Sequence, residues 1–424
     1  MQNNNCLMSS LVLLICAVAS AQDRRQVAEP ALPDKVCATL VPSDEQHLQQ
    51  ALDACPAQSA LKLSPGHYHS TPLHLPSGVT LWLDRGAVLL ASPNPADYDK
   101  GNGRCGGLDQ DGKGCRPFIE ISHAHGSAIV GDGMIDGQGG ALLPSRNESW
   151  WQLARRAQTE GKHQNVPRLI DIRQSSDITL YRVHLRNTAN FHVALDQVQG
   201  FTAWGVVIDT PSDARNTDGI DPGASQDVTI RHCSIQTGDD DIAIKAGHGA
   251  SRYITIEDDH IYGGHGISIG SETQAGVSDV TVRNVTLDGT TWGLRIKSAS
   301  DRGGLVTRIH YENICLRNNH WPISITADYA DGGTGSLIPQ YQDIHLRNIR
   351  GTEGILQIKG HDADHPAQIW LDNVYFASQA NWVVQHATIS TAGIITPALP
   401  GHTTEASAAN DLCTTPWPAF PSTP

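Results

Sequence analysis

Three carboxylates, a histidine and two cations are placed along this sequence so that each group follows the last at a similar interval. Asn216-Thr217-Asp218-Gly219 is followed by Gly238-Asp239-Asp240-Asp241, then Gly264-His265-Gly266, then Arg295-Ile296-Lys297. By subtraction, Asp218 to Asp240 is 22 residues, Asp239 to His265 is 26 and His265 to Arg295 is 30. Taken singly, these are a turn, a solvated or calcium-binding loop, a second turn and surface charge. Taken together at that spacing they share one face of a coiling chain. They then form an acid/base centre beside an anion-binding patch. Strand alternation in Arg295-Ile296-Lys297 predicts both cations on one side, facing solvent, with Ile296 in the core. Asn216 to Asp221 lacks the spacing and terminal Glu of a helix-loop-helix calcium site.

Positioning such groups needs a repeat, and the sequence has one. An eight-residue phrase, mostly apolar at positions 1, 3, 6 and 8, begins at Ile178, Phe201, Val228, Ile254, Val280, Ile309, Ile344 and Ile369, with Asp259 and Gly351 as exceptions. The skip between positions 3 and 6 predicts a bend onto a new face. Steps of 23 to 35 residues without helices exclude βαβ units and most helical repeats. The predicted fold is all-β, a right-handed parallel β-helix, with a sandwich as the alternative. Ser43-Asp44-Glu45-Gln46 reads as a capping box for one short helix through Leu48, Ala51, Leu52 and Cys55, which would cover the open end of the solenoid.

The domain reading is a signal peptide over 1–21, a single catalytic solenoid over 22–387 opening with a polar leader from Gln22 to Lys35, and a flexible Ser/Thr/Pro-rich tail over 388–424, anchored at most through Cys413. The first 21 residues carry no Lys, Arg, Asp or Glu, contain an apolar run from Leu11 to Val18, and end on Ala19-Ser20-Ala21. Export permits disulfides. Cys105 with Cys115 encloses a Gly-rich loop and is the clearest pair, followed by Cys37 with Cys55, while Cys233 sits on an inward position as the free-thiol candidate. Gly 40 and Pro 23 of 424 residues describe a turn-rich chain, and a net charge of -14 opposes loose adhesion to nucleic acid or anionic lipid. A secreted monomer that touches neither nucleic acid nor membrane is expected.

The four clusters, in this order, together with Gly131 through Gly137, Asn216 through Pro222 and Gly264 through Ser271, resemble the signature of the polygalacturonases, glycoside hydrolase family 28. The resemblance extends over roughly residues 35 to 385 and is strongest to the secreted bacterial endo-acting enzymes. It implies hydrolysis of α-1,4-galacturonosyl linkages in polygalacturonate, the de-esterified form of pectin, with inversion and without cofactor or metal. It further implies Asp239 as general acid, Asp218 and Asp240 as the carboxylates that activate water, and His265 as support for the acid. Arg295 and Lys297 would hold a galacturonate carboxylate beside the cleavage point. Tyr329 would contact substrate, and Asn216 would orient Asp218. In chemical terms the acid must stay protonated near working pH, and adjacent carboxylates raise a pKa by like-charge repulsion.

Competing readings are an exo-acting hydrolase, a non-catalytic polysaccharide-binding β-helix and a calcium-dependent lyase on the same solenoid. The carboxyl cluster argues against a module that only binds a polyanion. Trp150 and Trp151 read as loop anchors before sugar platforms, and His123 with His125 as a surface turn before a metal site.

Overall fold

The computed structural model describes residues 21–330, 333–377, 379–401, 413 and 417–422. Stacked parallel strands form a β-helix, with an eleven-stranded sheet on one face and a 21-stranded sheet wrapping the others. All eight phrase starts fall opposite one another in register, from Ile178 against Phe201 through to Ile344 against Ile369. Their apolar positions line one continuous core. Each buried Ile or Val contributes roughly 1.5–3 kcal/mol, so the stack is held by repetition.

The bend falls at position 5 of the phrase. Arg182, His232, Asp258, Asn284, Asn313, Asn348 and Asn373 all have φ between 53° and 64° there, the left-handed region that Asn and Asp tolerate best among side-chain-bearing residues. Side chains continue the stack: Asn348 donates to Asn313 at 3.0 Å, Asn313 to Asn284 at 3.2 Å and Asn284 to Asp258 at 3.1 Å. Both exceptions to the apolar phrase have a packing reason. Asp259 is buried and accepts the Cys233 backbone N–H at 2.6 Å. At Gly351 a Cβ would lie 2.0 Å from the Phe376 ring, which fills that space from the next coil.

Several expectations change at the ends. Ser43 is not an N-cap: a 3-10 helix already starts at Pro42, and the helix Leu48–Ala54 follows it, burying Leu48 and Leu52 against the core. The solenoid does not stop at 387, because Ala387–Thr396 is a further strand paired in parallel with Ala367–Phe376. Beyond it Cys413 is bonded to Cys315, Arg317 lies 4.3 Å over Trp417, and Tyr262 meets Phe420 edge-on, so this part of the tail packs on the coils. The leader also lies along the sheet. Asp23 accepts from Thr229 at 2.7 Å, Arg24 bonds Asp227 at 2.8 Å, Arg25 donates to the Phe201 carbonyl at 2.7 Å, and Tyr181 donates to Glu29 at 2.8 Å. Of the segment 1–21 expected as a signal peptide, residues 1–20 lie outside the described residues.

Cys105–Cys115 and Cys37–Cys55 are bonded as expected, and Cys233 is free and buried. A ten-residue helix was not expected. Trp150–Thr159 starts at Ser149, whose hydroxyl and the Gln152 side chain form a reciprocal capping box. Trp150 is fully buried and meets Tyr98 edge-on, and Trp151 donates to the Thr188 carbonyl at 2.8 Å, so both tryptophans are anchors.

Candidate active site

The eleven-stranded sheet carries the site. Its registered strands Ile220–Gly223, Ile242–Ile244 and Ile267–Ile269 each follow a turn that delivers one cluster, and the strand Trp292–Lys297 carries the fourth within itself. Glycine is required where the turns crowd: at Gly266, φ is 73° and a Cβ would lie 2.2 Å from the Trp292 carbonyl oxygen. Asp241 is structural, since it accepts the Gly266 N–H at 2.8 Å and the Thr237 hydroxyl at 3.0 Å.

Asp218, Asp239, Asp240, His265, Arg295, Lys297, Asn216 and Tyr329 all line one cleft. Of Asp218, Asp239 and Asp240, Asp239 is the most open, its side chain 20% exposed. It meets His265 Nδ1 at 3.1 Å. Asn216 donates to Asp239 through its backbone and its side chain, both at 3.3 Å. It therefore steers Asp239, and not Asp218 as expected, because its φ of 57° turns it toward the following coil.

Arg295 and Lys297 do not face open solvent. Their side chains are 8% and 7% exposed, and Lys297 Nζ lies 2.6 Å from Asp240 while Arg295 lies 3.5 Å from it. Ser268 donates to the same carboxylate at 2.8 Å. Alternation does put both cations on one side of the strand with Ile296 inside, but turns and aromatics cover that side. Arg295 stacks 3.7 Å over the Trp292 ring, and Tyr329 sits 5.6 Å from Arg295 and 5.4 Å from Lys297.

The electrostatics divide the carboxylates. Burial raises Asp240, but Lys297 and Arg295 outweigh it and leave the group below its ordinary value. At Asp239 burial is likewise overcome, here by the hydrogen bond and charge of His265 and then by Lys297, which place it at about 2 in the free protein. Like-charge elevation was expected at Asp239. It appears instead at Asp218, raised by burial and then by Asp221 and Asp239.

Asp239, Asp240 and His265 are the one group among the described residues whose donor atoms, within 4.8 Å of one another, could hold a metal ion. Asp240 is already neutralised by two cations, so a metal there would have to displace Lys297 at 2.6 Å.

Beneath the cluster His192 is fully buried. Its Nδ1 lies 3.0 Å from the Asp218 carbonyl and its Nε2 lies 2.7 Å from the Thr210 hydroxyl. Burial lowers its pKa from 6.5 to about 4. The unfolded chain therefore takes up this proton first as pH falls, and stability full above pH 6.5 is lost down to about pH 4, where the loss levels off. The expected contribution is roughly 3 kcal/mol. His192→Gln should flatten the fall in melting temperature over that interval; an unchanged slope would mean that the imidazole is not held neutral.

Sequence reasoning missed Lys245, Asp221, Ser268 and Trp292. Lys245 was legible in principle, since it lies 27 residues after Asp218 and two strands before Lys297 in the same row of the sheet. Phe191, Lys245 and Glu272 also line a second stretch of groove, which continues past Arg168 and Arg173 toward Lys100 and Lys113.

A solenoid with a carboxyl cluster set midway along a cation-lined groove defines an enzyme that works on an extended acidic polymer. The profile of glycosyl hydrolases family 28 matches residues 100–392, and the chain belongs to that family. It is 42% identical over 393 residues to an endo-polygalacturonase of Pectobacterium carotovorum subsp. carotovorum, covering 90% of this chain and 97% of that one. It is 39% identical to a polygalacturonase of Ralstonia solanacearum, covering 83% and 80%. Among solved structures, the polygalacturonase from Erwinia carotovora ssp. carotovora superposes with a TM-score of 0.84 at 41% identity, covering 87% of this chain and all of that one. An exopolygalacturonase from Thermotoga maritima shares the fold, at a TM-score of 0.71 and 20% identity.

Proposed function

We propose that this protein is a secreted endo-polygalacturonase that hydrolyses internal α-1,4-galacturonosyl linkages with inversion. Export is supported by three disulfides, which persist in oxidising compartments. The observation that carries the activity is Asp239, the most open carboxyl of the three in the cluster, lying beside Asp240, which is kept ionised by Lys297 and Arg295. Asp239 protonates the leaving oxygen, and Asp240 with Asp218 draws the proton from an attacking water. Arg295 and Lys297 hold the substrate carboxylate through charge-assisted hydrogen bonds. That carboxylate offsets Lys297, the smaller of the two cationic causes that keep Asp239 low in the free protein, while His265, the larger, stays in place. Substrate binding therefore raises Asp239 in the direction that the role of acid requires.

Internal cleavage is supported by the course of the groove. It runs from Arg168 and Arg173 on one side of the cluster to Gln357 on the other. With polygalacturonate and EDTA, viscosity should fall before many reducing ends appear, giving mixed oligogalacturonates. Monomer or dimer from the outset at nearly constant viscosity would make the enzyme exo-acting. No turnover with EDTA, and products absorbing in the ultraviolet once calcium is restored, would make it a lyase.

A further inference from the structure

One charged pair in the cleft has no part in the scheme above. Lys245 Nζ lies 3.5 Å from Asp218 and 3.3 Å from Asp221, and both carboxylates are buried. Among the described residues, Asp218 Oδ1 and both oxygens of Asp221 have no hydrogen-bond partner, so one ammonium serves two carboxylates. Lys245 follows the strand Ile242–Ile244 and is bridged to Gly223 on the coil before it. On the coil after it the register places Gly270. Neither neighbour carries a side chain that could screen the ammonium. Its remaining contact is the Phe191 face at 5.0 Å.

We propose that Lys245 and Asp221 are positioning residues that set, with opposite signs, the protonation state of Asp218. This rests on the reading of Asp218 as a carboxylate that must be ionised for water attack. An opposite charge within about 4–6 Å favours the ionised form of a carboxylate by one to three pH units, and a like charge opposes it. Lys245 is the cation that faces Asp218 at contact distance. Asp221, Asp239 and Asp240 are the anions around it, and all three raise its pKa. Glu272 acts on Lys245, and Arg168 on Asp221, from the neighbouring coils. Asp221 is itself raised to about 6, because burial outweighs both Lys245, which it shares with Asp218, and the more distant Arg168.

The test is the acidic limb of the pH profile of kcat/KM on polygalacturonate. Lys245→Met should move that limb up by about one unit or more, since Asp218 loses the cation that ionises it. Asp221→Asn should move it down by roughly half a unit to one unit, since the like charge is removed and the whole ammonium turns to Asp218. Lys245→Arg should restore a limb near the wild type. Opposed shifts are the signature, because a residue that only packs the site lowers kcat without moving a limb in a chosen direction. Limbs that coincide with wild type in Lys245→Met and Asp221→Asn, or that move the same way, overturn the proposal. Should Lys245→Met fail to fold, Asp221→Asn against Lys245→Arg decides alone, since an unshifted Asp221→Asn limb is sufficient refutation. A wild-type enzyme that does not cleave polygalacturonate is a different failure, of the activity itself.

Discussion

Asp239→Asn is expected to leave a folded protein whose turnover of polygalacturonate is down by at least about 10²-fold, the lower bound for losing a general acid. The amide keeps the shape and one acceptor for the Asp240 N–H, which now reaches Asp239 Oδ1 at 3.0 Å. Folding loses little, since Asp239 is partly open and its one ion pair among the described residues is with His265. Removing a negative charge also relieves Asp218. The melting temperature should therefore stay within a few degrees of wild type. A galacturonide with a good aryl leaving group should suffer much less, because its departing oxygen needs no proton. Retention of more than about a tenth of wild-type activity on the polymer, or an equal loss on both substrates, would remove Asp239 from the role of acid.

The solenoid was legible because its physics is local and repeated. The alternation of Ile254, Ile256 and Ile261 recurs at Val280, Val282 and Leu287, and a one-residue slip would expose every one of them. The same period placed Asp218, Asp239, Asp240, His265, Arg295 and Lys297 on one face. It could not say which neighbour each would touch. Asn216 stands two residues before Asp218, yet its left-handed backbone sends it to Asp239, 23 residues on. The helix Trp150–Thr159 had its signal in Ser149 and Gln152 and in the apolar spacing of Trp150, Leu153, Ala154 and Ala157, but a repeat read as helix-free masked it. The docking of Asp23 and Arg24 was not legible at all. Their partners Thr255 and Asp227 lie 232 and 203 residues away, and nothing in a polar leader names a distant partner.

The burial of Lys297 sets the expected result for Lys297→Met. An exposed cation would cost little, about 0–1 kcal/mol. Here the ammonium lies 2.6 Å from a carboxylate that is 2% exposed, and breaking one side of a buried pair costs about 3–5 kcal/mol. Arg295 at 3.5 Å and Ser268 at 2.8 Å remain on Asp240, so the lower end of that range applies. Activity should fall at least about 10²-fold, since the substrate carboxylate loses a charge-assisted contact and Asp240 its compensating cation. Lys297 keeps Asp240 low in the wild type, so the stabilisation it gives is present above the unfolded carboxylate pKa and is lost as pH falls. The melting deficit of Lys297→Met should accordingly be large at pH 7 and shrink as Asp240 protonates. Adding Asp240→Asn should return most of the melting temperature at pH 7, because the unpaired charge is gone, and should return none of the activity. A deficit independent of pH, or a double variant no more stable than the single one, would show that Lys297 matters through packing and not through its charge on Asp240.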